Sequence, residues 1–343
     1  LARDTRRAFA QAVKAMEPGI RKAFLQAIAD VRSTAQFAVI EAAIERGDIQ
    51  AVINSLRLGR EFFAPLDDAI RNAFVQGATY QLASLPKKAL PTSGGGPLIV
   101  RFQGRNPRAE AWLTEAAGNL IVEILEDQQT VIVEAVRYGL ERGQGARTTA
   151  LDLIGRPGPS GARQGGLVGL HSGQARAVNA ARAELNDLDA NYFTRKRRDK
   201  RFDGTVKRAI LDNKPLAQAD IARITGRYSD RLLQLRGETI ARTETVKAMG
   251  AGRREGMQQV IDSGQVPAAA VTRTWDSTGP DGRTRDDHLA MEGQKVSWGV
   301  PFIAPDGSRL MGPGDTSLGA PAKQVVACRC YEQISVDFLS LAV

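Results

Sequence analysis

A change of texture near Gly264 constrains this chain more than any other feature. Before it, apolar residues recur at spacings of three and four, the period that lines one face of a helix. Beyond it, Val271, Arg273 and Trp275 fall on one side of an alternating run. Gly279-Pro280-Asp281-Gly282 and Pro305-Asp306-Gly307 then supply turns, and residues 323–334 are expected to close the segment as a strand. One element cannot hold both periods. The sequence therefore reads as α+β and mostly α: a helical N-terminal region followed by a helical domain with a small C-terminal β-rich subdomain at about 265–335. Aromatic residues make up only 6% of the chain, which suits helix interfaces built from small side chains better than a large sheet.

Residues 5–85 have helical periodicity, with breaks expected at Glu17-Pro18 and around Arg46-Gly47-Asp48. Ile20, Phe24, Ile28, Val31 and Ala35 form one apolar stripe, and Leu66, Ile70, Phe74 and Gly77 form another. The proline- and glycine-rich residues 85–97 cannot continue a helix and mark a linker. After a short strand-like stretch at 98–102, Asn106-Pro107 predicts a helix start, with asparagine as N-cap and proline at the first helical position. That helix is expected to reach about Arg142, with Leu113, Ala117, Leu120, Ile121 and Ile124 on its apolar side. The glycine-rich residues 155–169 lack the Gly-Lys-Ser/Thr ending of a phosphate loop and predict a flexible connection or a tight backbone crossing. Helices are expected again at 172–188 and along Ile221, Ile224, Tyr228, Leu232 and Leu235, continuing through Ile240 to Thr245. The implied division is 1–97, 98–164, 165–335 and a tail at 336–343.

A chain of 343 residues, at 43% hydrophobic and 25% charged, is long enough for about two domains and foldable. The net charge of +9 makes nucleic acid or another acidic surface a natural neighbour. The charge is densest in the run Arg195, Lys196, Arg197, Arg198, Lys200 and Arg201, with Tyr192, Phe193 and Phe202 beside it. Such a run could grip phosphates without reading base sequence. The competing reading is a solvated helix face, or ion pairs with the acids of a partner protein. No stretch approaches a membrane span, and residues 1–7 carry no apolar signal core, so synthesis in the cytoplasm is expected.

The two cysteines of the chain sit one residue apart, as Cys328-Arg329-Cys330. In an extended segment their side chains share a face. With His288, one of only two histidines, they would supply three of the four ligands of a zinc site. Asp276, Asp287 and Asp315 are candidates for the fourth. The alternative is two small thiols packed in a core, with His288 in a surface hydrogen bond. A Cys-His nucleophile, or a nuclease metal site on Asp286, Asp287 and His288, lacks a full set of roles, so the chain is not expected to be an enzyme.

Taken in order, these landmarks resemble a known family. They run from Gly169-Leu170-His171-Ser172-Gly173-Gln174 through Glu238-Thr239-Ile240-Ala241-Arg242-Thr243-Glu244-Thr245 to Thr274-Trp275-Asp276. Next come Asp281-Gly282-Arg283-Thr284-Arg285-Asp286-Asp287-His288 and Glu292-Gly293-Gln294, then Pro301-Phe302, Pro313-Gly314-Asp315 and Ala327-Cys328-Arg329-Cys330. Together they look like the Mu F-like phage head morphogenesis domain, over residues 165–335. The resemblance implies a minor head (minor capsid) protein of a tailed bacteriophage or prophage. Such a protein would assemble in the host cytoplasm and reside in the virion, inside the capsid near the portal. Portal protein and the major capsid or scaffold protein would be its partners, with non-specific contact to double-stranded DNA during packaging or ejection. The helical N-terminal half would be the docking region. Many members carry CxxC ahead of the terminal pair; here Arg285 and His288 occupy the two cysteine positions. His288 keeps a ligand, whereas Arg285 removes one and could pair with a carboxylate instead. Arg242 and Glu244 are expected in a structural ion-pair or capping network. The alternatives kept are a capsid-associated metal-dependent nuclease and a stand-alone non-specific DNA-binding protein.

Overall fold

The computed structural model describes residues 2–85, 101–159, 161–279 and 282–338. The first helices are α1 (Ala2–Thr34), α2 (Phe37–Glu45), α3 (Ile49–Ser55), α4 (Ala64–Ser84), α5 (Pro107–Glu141) and α6 (Ala146–Ile154). A two-residue hairpin of β1 (Arg156–Pro157) and β2 (Arg163–Gln164) precedes α7 (Ser172–Asn186), α8 (Asp203–Leu211) and α9 (Gln218–Asp262). The remainder comprises β3 (Val271–Asp276), α10 (Asp286–Ala290), β4 (Lys295–Ser297), β5 (Phe302–Ile303), β6 (Arg309–Leu310), α11 (Ala322–Val325) and β7 (Tyr331–Val336). Helix accounts for 65% of the described residues and the small antiparallel sheets gather mainly towards the C-terminal end, so the fold is α+β and mostly α. No helix among the described residues is long and apolar enough to cross a membrane.

The chain forms two compact units that interleave in sequence. One comprises Leu1–Arg21, Leu66–Ala117 and Glu238–Val343; the other comprises Lys22–Pro65 and Gly118–Gly237. Helices α1, α5 and α9, and α4 by its first two residues, contribute residues to both. The linker at 86–97, the first part of the strand-like stretch at 98–102, Pro280 and Asp281 of one turn, and 339–343 of the tail lie outside the described residues. Arg101 and Phe102 are not in a strand.

In the first unit, Phe9, Val13 and Ile20 are buried on one side of α1. The helix continues through Glu17-Pro18, where the sequence predicts a break. Proline removes one backbone hydrogen bond at a cost of about 3 kcal/mol. Fully burying Val13 and Ile20, on either side of it, offsets a cost of that size at about 1.5–3 kcal/mol each. Helices α4 and α9 meet backbone to backbone: a Cβ on Gly252 would lie 1.9 Å from the Phe74 carbonyl oxygen, and one on Gly77 would lie 2.2 Å from that of Met249. Only the absence of a side chain at these positions lets the two helices approach so closely.

Strand β3 is the centre of a three-stranded sheet ordered β4-β3-β7, antiparallel throughout. Its alternation buries Val271, Arg273 and Trp275, as the pattern predicts. Arg273 is buried because Glu332, opposite Trp275 on β7, accepts from it at 2.9 Å; each side chain is 1% exposed. Arg254 of α9 reaches the other Glu332 oxygen at 3.1 Å. A buried ion pair of this kind is tolerated because every charge has a partner.

The second unit follows the predicted stripes. Phe24, Ile28, Val31, Ile121, Ile124, Ile221, Ile224, Tyr228 and Leu232 are buried. Residues 155–169 hold the β1–β2 hairpin, and then the tight crossing that the glycines allow. A Cβ on Gly165, whose φ is +69°, would meet Gly226 Cα at 2.8 Å. Buried Arg32 donates to the Val168 carbonyl at 2.9 Å and to that of Gly166 at 3.3 Å, fixing the return of the loop. At the start of α5, in the first unit, Asn106 caps the helix as expected, its Oδ1 accepting from Arg108 N at 3.0 Å.

Candidate metal centre

The C-terminal landmarks of the first unit converge on a small core. Trp275, Met291, Phe302, Ala304, Leu310, Val325, Cys328 and Cys330 form one buried cluster. The alternation of β3 turns Trp275 inward, where its ring meets His288 edge-on at 5.2 Å and Phe302 at 5.3 Å. His288 is the inward residue of the short helix α10 and is 1% exposed.

The CxC pair does not lie on a strand. Residues 323–334 divide into α11, a turn with Ala327 at φ +53°, an extended piece carrying both cysteines, and β7. Because β7 pairs with β3 from Tyr331 opposite Asp276, Cys330 is delivered to the end of β3 beside Trp275. The turn is pinned by Thr243 of α9, whose hydroxyl accepts from Ala327 N at 2.9 Å. A strand-like spacing of two residues still brings both side chains to one point.

His288 Nδ1 lies 3.3 Å from Cys330 Sγ and 3.6 Å from Cys328 Sγ. Both cysteines are free and buried, and all three ligand atoms lie within 4.8 Å of one another. A tetrahedral ion with bonds of about 2.3 Å to sulfur and about 2.0 Å to nitrogen sets S···N edges of roughly 3.6 Å. The spacing and the donor types fit a metal ion. Among the described residues, this is the one group of three or more His, Cys, Asp or Glu that could hold an ion.

The electrostatics lead to the same conclusion. The Cys330 thiol donates to Cys328, and with His288 and the Cys330 backbone N–H it holds the Cys328 thiol well below its usual range. Cys330 is pushed up in turn by that same bond and by burial, while the Trp275 indole and the Arg285 charge act against the rise. Two adjacent buried thiolates repel, so the pair resists carrying both charges at once. A cation bound between them would remove that conflict.

The carboxylates proposed as a fourth ligand are engaged elsewhere. Asp276 accepts from Arg6 at 2.8 Å, Asp287 from Gln324 at 2.6 Å, and Asp315 from Met311 N at 3.0 Å and from Ser317. Arg285 donates to the Val326 carbonyl rather than to a carboxylate. His288 is not at the surface; its Nε2 faces Gln324 Oε1 at 3.0 Å. Asp286 is exposed, Asp287 is bound to Gln324 and His288 points inward, so these three consecutive residues do not share a site. Arg242 forms an ion pair with Glu17 at 2.6 Å, and Lys247 lies 3.9 Å from Glu244. Sequence reading missed Gln324, and it took Asp306 only for a turn residue; neither carries a local signal of its role.

The basic run belongs to the second unit: Arg195 to Arg198 form a turn between two short 3-10 helices, and Lys200 and Arg201 open the second of these. Arg195 is held by Glu184 through two bonds of 2.6 Å, and Arg198 by Asp203 through two of 2.9 Å. Arg201 and Arg231 converge on buried Asp199 at 2.6 and 3.3 Å, and the Arg201 bonds hold that carboxyl at about 2. Lys196, Arg197 and Lys200 are exposed, and so are Lys207, Arg208 and Lys214 on α8 and just beyond it. The arginines of the run thus find carboxylates within the chain, and the lysines with Arg197 face outward. No family model, curated protein or solved structure matches this chain.

Proposed function

We propose that this chain is a minor head protein of a tailed bacteriophage or prophage, acting structurally in capsid assembly near the portal. The observation that carries the reading is that the ordered landmarks of the Mu F-like resemblance serve one bonded subdomain. Thr243 pins the cysteine turn, and Trp275 meets both His288 and Phe302 edge-on. Gly293 N donates to Trp275 O at 2.9 Å, Gln294 holds both backbone groups of Ile303, and Asp315 accepts from Met311 N. The convergence of these landmarks on one subdomain supports reading that subdomain as the working part.

Zinc is the ion we assign to the cysteine-histidine centre, because two thiols and an imidazole are soft donors at tetrahedral spacing. Burial of all three ligands favours a staple that holds a small core over a reacting centre. His288, Cys328 and Cys330 would hold the ion, which would cross-link α10 to the segment before β7. The exposed cations Lys196, Arg197 and Lys200 support an additional non-specific contact with double-stranded DNA.

Portal and major capsid or scaffold protein are the partners this role requires. Proteomic analysis of purified virions is expected to find the chain in stoichiometric amounts with the portal; heads that lack it altogether overturn the role. Elemental analysis of the purified full chain is expected to give about one equivalent of zinc, lost in the Cys328→Ser, Cys330→Ser double variant. A wild-type chain free of zinc after expression with the metal overturns the zinc assignment.

A further inference from the structure

Gln324 touches neither sulfur, yet only one orientation of its amide satisfies its neighbours. Asp287 Oδ2 lies 2.6 Å and Asp306 Oδ2 lies 2.9 Å from the amide nitrogen. Ionised carboxylates only accept hydrogen bonds, so both amide hydrogens are directed to them. Lys323 in turn pairs with Asp306 at 2.8 Å and fixes that carboxylate in place. Turning the amide over would set its carbonyl oxygen against two acceptors, leaving three oxygens with no hydrogen between them.

The amide oxygen therefore faces His288 Nε2 at 3.0 Å, and a carbonyl oxygen can only accept. The imidazole proton sits on Nε2. In the neutral ring, the form that can bind a metal, Nδ1 is then the bare nitrogen, and it lies 3.3 and 3.6 Å from the Cys330 and Cys328 sulfurs. The sequence Lys323, Asp306, Gln324, His288 is a chain of donors and acceptors that runs from the exposed Lys323 to the buried ligand atom.

We propose that Gln324 is a positioning residue: it holds His288 in the Nε2–H tautomer with Nδ1 directed at the two sulfurs, and so sets the metal affinity of the centre from outside its ligand set. The affinity clause rests on the zinc reading above; the tautomer clause stands without a metal. Loss of an outer partner of this kind typically lowers metal affinity by about 10–100-fold.

The test uses the full chain with 15N-labelled histidine, where only two histidines contribute signals. In His171→Asn, which keeps a capping side chain at the start of α7, the remaining signals belong to His288. The metal-free protein is expected to show a protonated Nε2 for His288 at every pH, and a bare Nδ1 wherever the ring is neutral. Gln324→Met keeps the length of the side chain and removes the amide. It is expected to mix the two tautomers and to weaken zinc binding, measured by competition with a chromophoric chelator, by about 10–100-fold. If that variant does not fold, Asp306→Ala decides, with the same changes expected at smaller size. A His288 that keeps a pure Nε2–H tautomer in the folded variant overturns the proposal. A changed tautomer with zinc affinity within about twofold overturns its affinity clause. A wild-type chain that takes up no zinc overturns the zinc reading instead, and the tautomer alone then decides the role of Gln324.

Discussion

Adding one methyl group to Gly252 is expected to destabilise the protein, although helix propensity alone says the opposite. Replacing a glycine inside a helix with alanine stabilises it by about 1 kcal/mol. Gly252 lies in α9, but its Cβ would lie 1.9 Å from the Phe74 carbonyl oxygen, 2.8 Å from the carbon of that carbonyl and 3.1 Å from Ala78 N. These are backbone atoms of α4, which no rotamer change can move. Restoring an ordinary Cβ···O contact of about 3.3 Å requires the helices to part by roughly 1.4 Å, and overpacking of this kind costs typically 1–3 kcal/mol. With a rigid neighbour the upper end applies, so about 3 kcal/mol of overlap less about 1 kcal/mol of propensity leaves a net loss of about 2 kcal/mol. For a unit of this size that corresponds to a fall in thermal midpoint of about 4–8 °C. Gly19 of α1, in the same unit and with nothing within 4 Å of its Cβ, is the control. Gly19→Ala is expected to stabilise by about 0.5–1 kcal/mol. Urea unfolding of both variants beside wild type measures the contrast. If Gly252→Ala stabilises as Gly19→Ala does, the close α4–α9 seam is refuted.

Glu332→Gln removes the charge shared by Arg273 and Arg254 and is expected to cost about 3–5 kcal/mol in urea unfolding, because Arg273 stays buried with only carbonyl acceptors; a loss below about 1 kcal/mol would refute its dependence on the pair. Asp199 titrates at about 2 in the folded chain because Arg201 holds its charged form, below an ordinary carboxylate value near 4. A depressed folded value adds stability above pH 4 that is lost as pH falls from about 4 towards 2. Thermal midpoints of Asp199→Asn should therefore fall less steeply over that window than those of wild type, and parallel curves would count against the assignment. In the basic run the two sets of cations should separate. Replacing Lys196, Arg197 and Lys200 together with alanine is expected to flatten the slope of log K against log salt for duplex DNA by up to roughly 2.7. Arg195→Gln with Arg198→Gln is expected mainly to lower the thermal midpoint, since both guanidinium groups are held by carboxylates within the chain. An unchanged slope in the first variant would remove DNA contact from the function.

What could be read from the sequence was what neighbouring residues decide among themselves. The stripe of Ile20, Phe24, Ile28 and Val31, the Asn106-Pro107 helix start, and the switch from period 3.6 to alternation beyond Gly264 are local patterns, and each became the expected element. The cysteine pair with His288 was also legible, because rare residue types with ligand chemistry stand out in a chain that holds two of each. Contacts between distant residues were not legible. Whether Pro18 breaks α1 depends on the burial of Val13 and Ile20, and whether residues 323–334 form one strand depends on the turn at Ala327 that Thr243 holds from 84 positions away. Arg195 and Arg198 looked like phosphate ligands in a linear run, and only folding brought Glu184 and Asp203 to them. Gln324 shows the division most sharply. As a letter in the chain it is an ordinary polar residue. It becomes the group that orients a candidate metal ligand only when Asp287, His288 and Asp306, 37, 36 and 18 positions away, close around its amide. Local periodicity sets which elements form, because it acts between neighbours. The chemistry of the centre was decided by tertiary structure, because hydrogen-bond direction depends on partners that only the fold brings together.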